Sequence, residues 1–225
     1  MAQQRLIGSA IAMAILALCS PAAADFIPLA IPGVTGTAFH QGDNPDPGDG
    51  SISRMLDGSG LTVGDPGDSS TWTHDASWQN NWQGQGSFTG GDTPGAWLVI
   101  DLGSVHTDLA AVHIWNVREV ADRGMKDIEI YYATASFPPS AWTLLGSYTI
   151  PRATGGGTPA DAVISLGGVS SARYIGIDIA TNHGSTFRVG AAEVQFAMVP
   201  EPGTLSVLAL GSLVILRRRR ACRRS

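Results

Sequence analysis

The stretch Ala96–Tyr132, AWLVIDLGSVHTDLAAVHIWNVREVADRGMKDIEIYY, constrains the fold of this chain more than any other. It holds three apolar runs with β character, Trp97–Leu102, Leu109–Val117 and Ile128–Tyr132, separated by polar turns. Across Val112–Val117 apolar and polar residues alternate, which predicts a strand with one buried and one wet face. A turn is expected to begin at Asp101-Leu102-Gly103, where glycine can take a positive φ that other residues resist. The link Arg118–Lys126 carries nearly all the local charge and is expected on the surface.

The rest of the interior reads the same way. Gly33–His40, Trp142–Ile150, Ala162–Leu166, Arg173–Ala180 and Ala191–Met198 are candidate strands, and Arg173-Tyr174-Ile175-Gly176-Ile177-Asp178-Ile179 alternates cleanly. No segment shows a convincing helical period. The expectation is an all-β domain of about eight strands, a sandwich or jelly roll. Gln41–Gly50, QGDNPDPGDG, is a run of turn formers and acids with no EF-hand spacing, and reads as a surface loop. Ser51–Gly95 is long for a loop, and its apolar content is mainly Trp72, Trp78, Trp82 and Phe88. Such a length points to function or flexibility. Its aromatics either cap the core or stand exposed to stack on a ligand.

Both ends read as delivery signals. Residues 1–24 carry Arg5, an apolar core from Leu6 to Leu18, and Ala22-Ala23-Ala24 before Asp25, the order of a secretory signal peptide. At the other end, Val199-Pro200-Glu201-Pro202 precedes an apolar run, Gly203–Leu216, and six arginines. As a helix that run spans roughly 21 Å, short of the ~30 Å hydrocarbon core, yet enough for a thinned bilayer. The three-part tail, residues 199–225, resembles the PEP-CTERM sorting signal of Gram-negative bacteria. With Sec export expected from the signal peptide and transient inner-membrane anchoring through 203–216, the resemblance implies processing by an exosortase near the Pro-Glu-Pro triplet and release or attachment at the cell surface. The domain between the signals, residues 25–198, holds seven basic and eighteen acidic residues and no cysteine. That charge argues against nucleic acid or an anionic membrane as partner, and the composition excludes disulfides and thiol chemistry.

Within the domain, Leu56-Asp57-Gly58, Thr71-Trp72, Trp97–Gly103, Val112–Asn116 with Arg123, Ala172–Ile175 and Ala192–Phe196 follow one another in a telling order. In that order and spacing they resemble the discoidin, or coagulation-factor C-type, domain of the galactose-binding-like superfamily. The resemblance implies an antiparallel eight-stranded jelly-roll sandwich that binds ligands through loops at one end and holds a structural Ca²⁺. Its metal ligands would fall on Asp57, Thr71 and Glu193. The segment between Asp57 and Thr71 is longer than the family's, so Asp65 or Asp68 could replace one of them.

No catalytic motif is present: neither G-x-S-x-G nor H-E-x-x-H occurs, and the histidines are scattered. The expected function is a non-catalytic binding module for a cell-surface glycan or extracellular polysaccharide. Trp78 and Trp82 are the candidate stacking rings, with His74 as a candidate polar contact. The alternative is a structural surface or matrix protein with no specific small ligand.

Overall fold

The computed structural model describes residues 34–40, 44–45, 51–85, 91–136 and 141–199. The signal peptide, Phe88, most of the acidic run 41–50, and the tail beyond Val199 lie outside them. In chain order the strands are β1 (Thr35–His40), β2 (Asn44–Pro45), β3 (Leu61–Thr62), β4 (Thr73–His74), β5 (Trp82–Gln85) and β6 (Asp92–His106). Then follow β7 (Leu109–Asn116), β8 (Asp127–Ala133), β9 (Thr143–Thr149), β10 (Ala162–Ser165), β11 (Ala172–Thr181) and β12 (Arg188–Met198). They form a six-stranded sheet, β2-β1-β6-β11-β8-β9, a four-stranded sheet, β10-β7-β12-β5, and the small pair β3-β4. Strand pairing is antiparallel throughout.

The expected all-β antiparallel sandwich is therefore the fold, and eight of its strands match the predicted runs. The additional ones are the two-residue β2, β3 and β4, and β5, which begins at Trp82. The two sheets meet through residues two apart on each strand. Leu98 and Ile100 of β6, Ile128 and Ile130 of β8, and Ile175, Ile177 and Ile179 of β11 face Val112, Ile114, Val194 and Phe196. Each such side chain, once buried, stabilises the fold by ~1.5–3 kcal/mol. A single turn, Ile52–Met55, places Met55 in the same core and contacts β1, β5 and β12.

Three local expectations change. Asp101–Gly103 is not a turn, because β6 runs on to His106. Gly103, at φ 80°, sits in an irregular stretch where the register on β11 jumps from Tyr174↔Asp101 to Ala172↔His106. β7 has no wet face: every residue from Leu109 to Asn116 is buried. Its outward side, including Trp115, is covered by Trp72, Leu61 and Ala160, so the long segment after Ser51 acts as a lid on the four-stranded sheet. Arg118 is also buried, as are Gly124 and Met125 in the same link, which leaves Glu119 and Lys126 as its exposed residues.

Candidate functional site

The residues singled out from sequence lie under or in that lid. Between Ala191↔Asn116 and Glu193↔Trp115 the register of β12 on β7 shifts by one, a bulge at Ala192. Without it Glu193 would point into the sandwich core; with it the carboxylate emerges on the outer face, beneath the lid. There Glu193 Oε1 accepts the Gly58 N–H at 3.1 Å and a bond from Gln195 Nε2. Its Oε2 has no hydrogen-bond partner, and His74 Nε2 lies 3.9 Å away.

His74 is not available to a ligand. Its ring is fully buried, with Nε2 2.8 Å from the Ser59 carbonyl and Nδ1 2.9 Å from the Asp75 carbonyl. Trp82 is likewise corrected. It is fully buried in the main core as the first residue of β5, paired with Ala191, so it cannot present a face to a sugar. Trp78 alone of the three stays accessible, 45% exposed, in the turn Trp78–Asn80. Asp75, which accepts from Ser77 N and Asn80 Nδ2, lies beside that turn.

The donor set bears unevenly on calcium. A buried carboxylate oxygen without a partner is the kind of atom a cation satisfies, and Gly58 brings Asp57 alongside it. Glu193 offers that free oxygen to a hard cation, which prefers oxygen ligands, and Asp57 offers a second carboxylate whose Oδ1 also accepts the Ser59 N–H at 2.8 Å; no third Asp, Glu, His or Cys gathers with them among the described residues. Thr71 does not. Its hydroxyl donates to the Asp68 carbonyl at 2.8 Å and accepts from Asp65 N at 2.7 Å, closing its own loop. Asp65 and Asp68 are spent on the same loop, capping Gly67 N and Ser70 N.

Burial pushes the Glu193 carboxyl up to about 9, and the Asp57 charge adds to the rise. The folded chain therefore keeps a proton that the unfolded chain releases near the ordinary 4.5. This contribution to metal-free stability is fully present below the lower value and is lost as pH rises through the higher one. Glu193→Gln is expected to flatten that decline, read as urea midpoints at about pH 5 and about pH 8 in chelator. Equal slopes in the two proteins would remove Glu193 as its source.

A second constellation lies on the outer face of the six-stranded sheet. Side chains directly opposite one another share a face, so the register places Trp97, Asp178 and Glu129 in one outward row. Val99, Gly176 and Tyr131 form the next row, and Tyr174 lies opposite Asp101 in the one beyond. Trp97 packs on Tyr131 (centroids 5.3 Å, 48°) and edge-on to Trp142 (6.1 Å, 76°), and Trp142 in turn meets Tyr174 at 6.3 Å. The rings make a corner rather than a flat plate, and both indoles reach over Gly176, which has no side chain to lift them. At one border Arg173 lies 5.1 Å over the Tyr174 ring and forms a bidentate pair with Asp101, at 2.9 and 3.0 Å. At the other border, Glu129 accepts from the Tyr131 hydroxyl at 2.6 Å and the Ser147 hydroxyl at 3.2 Å. From there a cleft of about 270 Å³ runs along the sheet, lined by Asp127, Glu129, Ser147, Thr149 and Asp178 among others.

This face was missed from sequence because its aromatics come from four separate segments. The available signal was phase: Trp97, Tyr131 and Tyr174 each fall out of step with the inward isoleucines on the same strand.

Among known proteins, residues 199–220 match the PEP-CTERM protein-sorting motif. No curated protein matches the sequence. Solved structures of similar shape include a GH31 CBM32-2 module bound to GalNAc, at 15% identity and TM-score 0.47, covering 74% of this chain and 99% of that one. The family 32 carbohydrate-binding module of C. perfringens NanJ in complex with galactose gives 16% and 0.46, covering 76% and 97%. The lectin domain of lectinolysin, complexed with Lewis B antigen, gives 14% and 0.46, covering 75% and 94%. With identities of this order and scores below one half, the functional reading rests on this chain's own geometry.

Proposed function

We propose that the protein is an exported, non-catalytic glycan-binding module whose sugar site is the outer face of the six-stranded sheet. The observation that carries this reading is the Trp97–Tyr131–Trp142–Tyr174 corner over Gly176, bordered by carboxylates and hydroxyls. Ring faces take the CH faces of a sugar, while Glu129, Ser147 and Asp178 pair with its hydroxyls. The sorting motif supports export, exosortase processing and attachment of the module at the cell surface or in an extracellular polysaccharide matrix. Val199, where the motif begins, is held by its N–H to the Asp108 carbonyl at 2.7 Å. Val199 therefore sits at the Leu109 end of β7.

The test is binding of the purified protein to the producing cell's extracellular polysaccharide. Trp97→Ala is expected to weaken it about tenfold, roughly 1.4 kcal/mol, and Trp78→Ala to change it little. Loss on Trp78→Ala with Trp97→Ala unaffected would move the site to the lid. No binding from a folded wild-type protein would leave the structural-matrix reading.

Calcium belongs to the same proposal, held by Asp57 and Glu193, where it would neutralise the buried carboxylate and tie the lid to β12. Added Ca²⁺ is then expected to raise the melting temperature of the wild type and not of Glu193→Gln. An identical response in both would exclude this site.

A further inference from the structure

We infer that the glycan taken by this face is cationic, an amino-sugar polymer with free ammonium groups; the inference rests on the glycan-binding reading above. Glu129 and Asp178 stand directly opposite each other on β8 and β11, both outward. Like charges in that relation destabilise a sheet unless something neutralises them. Among the described residues nothing does. The residues lining the cleft include Asp127, Glu129 and Asp178 but no lysine, arginine or histidine. Arg173, the cation at the far border, is engaged by Asp101 through both guanidinium contacts. Lys126 reaches Asp127 at 3.7 Å from the exposed strand end.

Asp127 is also bonded to the hydroxyls of Thr149 and Thr181, and Glu129 to those of Tyr131 and Ser147. The Asp178 carboxylate makes no hydrogen bond or ion pair among the described residues, although it is half-buried beside Trp97. Burial, and then the charge of Glu129, raise its carboxyl above the ordinary range. Glu129 likewise pushes the Tyr131 phenol up to about 12, so that ring stays neutral.

A neutral sugar would leave this repulsion standing, and a uronic or sialic acid would add to it. An ammonium set between Glu129 and Asp178 relieves it, and the adjoining ring faces attract the same charge through their quadrupoles. The hexose ring carrying that ammonium supplies the CH face that the Trp97–Trp142 corner stacks. Charge complementarity and ring stacking therefore select one class of ligand.

Titration calorimetry of the whole purified protein against a glucosamine hexamer and its N-acetylated counterpart, at about pH 6 where the amine is charged, tests this. The glucosamine oligomer is expected to bind at least about tenfold more tightly, with affinity falling as salt is added. Asp178→Asn, and independently Glu129→Gln, should erase the preference, bringing the glucosamine oligomer's affinity down to that of its N-acetylated counterpart and removing its salt dependence. Equal or tighter binding of the N-acetylated oligomer, with Trp97→Ala weakening both, would overturn the cationic selection and leave the glycan reading intact. Binding of oligolysine with no glycan bound would overturn both, as would no binding of any glycan by the folded protein.

Discussion

Arg118→Met is expected to destabilise the domain by ~3–5 kcal/mol, because it strands a buried carboxylate and strips a loop of its donors. The Arg118 side chain is fully buried. One terminal nitrogen donates to the Gly155 carbonyl at 2.9 Å and to the Thr158 hydroxyl. The other donates to the Pro159 carbonyl at 2.7 Å and to Asp161 Oδ2 at 3.1 Å. That same Asp161 oxygen accepts the Asn116 N–H at 2.7 Å, so the loop 155–161 is fastened to the end of β7 through one guanidinium. Burial lowers the pKa of Arg118 and raises that of Asp161, as expected for charges removed from water. Each tolerates that position only through the other and through the carbonyls around them. For a domain of this size the loss corresponds to a melting temperature lower by roughly 10 °C. The double variant Arg118→Met with Asp161→Asn should recover part of it, since the stranded charge is then gone. A loss below about 1 kcal/mol would mean that water replaces the guanidinium and that the knot contributes little.

Gly176→Val is expected to abolish glycan binding without unfolding the protein. A Cβ at position 176 would lie 2.7 Å from Trp97 Cζ2 and 2.9 Å from Trp142 Cζ3, closer than carbon atoms approach. Both indoles must then leave the positions that make the corner. The change is on the outer face, between Val99 and Tyr131, and it replaces a glycine in a strand interior by a β-branched residue. The strand itself should gain by up to ~1 kcal/mol, partly offset by the ring displacement. The expected outcome is a melting temperature near that of the wild type, with affinity for the polysaccharide reduced more than about tenfold. Unchanged affinity would show that the sugar does not use this corner, whatever Trp97→Ala does.

The family resemblance put Asp57 and Glu193 in one site, and Gly58 does lie against Glu193, 135 residues away. The direction of that glutamate is not legible. One extra residue at Ala192 turns Glu193 from the core to the lid, and a bulge has no signature in alternation alone. Thr71 and His74 carry suitable chemistry, but local backbone carbonyls and amides consume it. Trp82 stands in a segment filled mainly by Gly, Ser, Asp and Asn, and only the pairing of β5 with β12 buries it.

The sequence by itself determined eight of the strands, the all-β class and the sorting motif, because each rests on a short-range property. Side-chain direction alternates residue by residue, so Ile175, Ile177 and Ile179 declare a buried face wherever their strand lies. Only the tertiary structure decided which outward faces stay wet. Trp115 lies on the outward side of its strand, yet Leu61 and Trp72 of the segment after Ser51 fold across it. Trp97, Tyr131, Trp142 and Tyr174 alternate in the same phase and remain accessible together, because β6, β11, β8 and β9 become neighbours out of sequence order. Burial of an outward face depends on what packs upon it, and that is a contact between distant segments that no local pattern encodes.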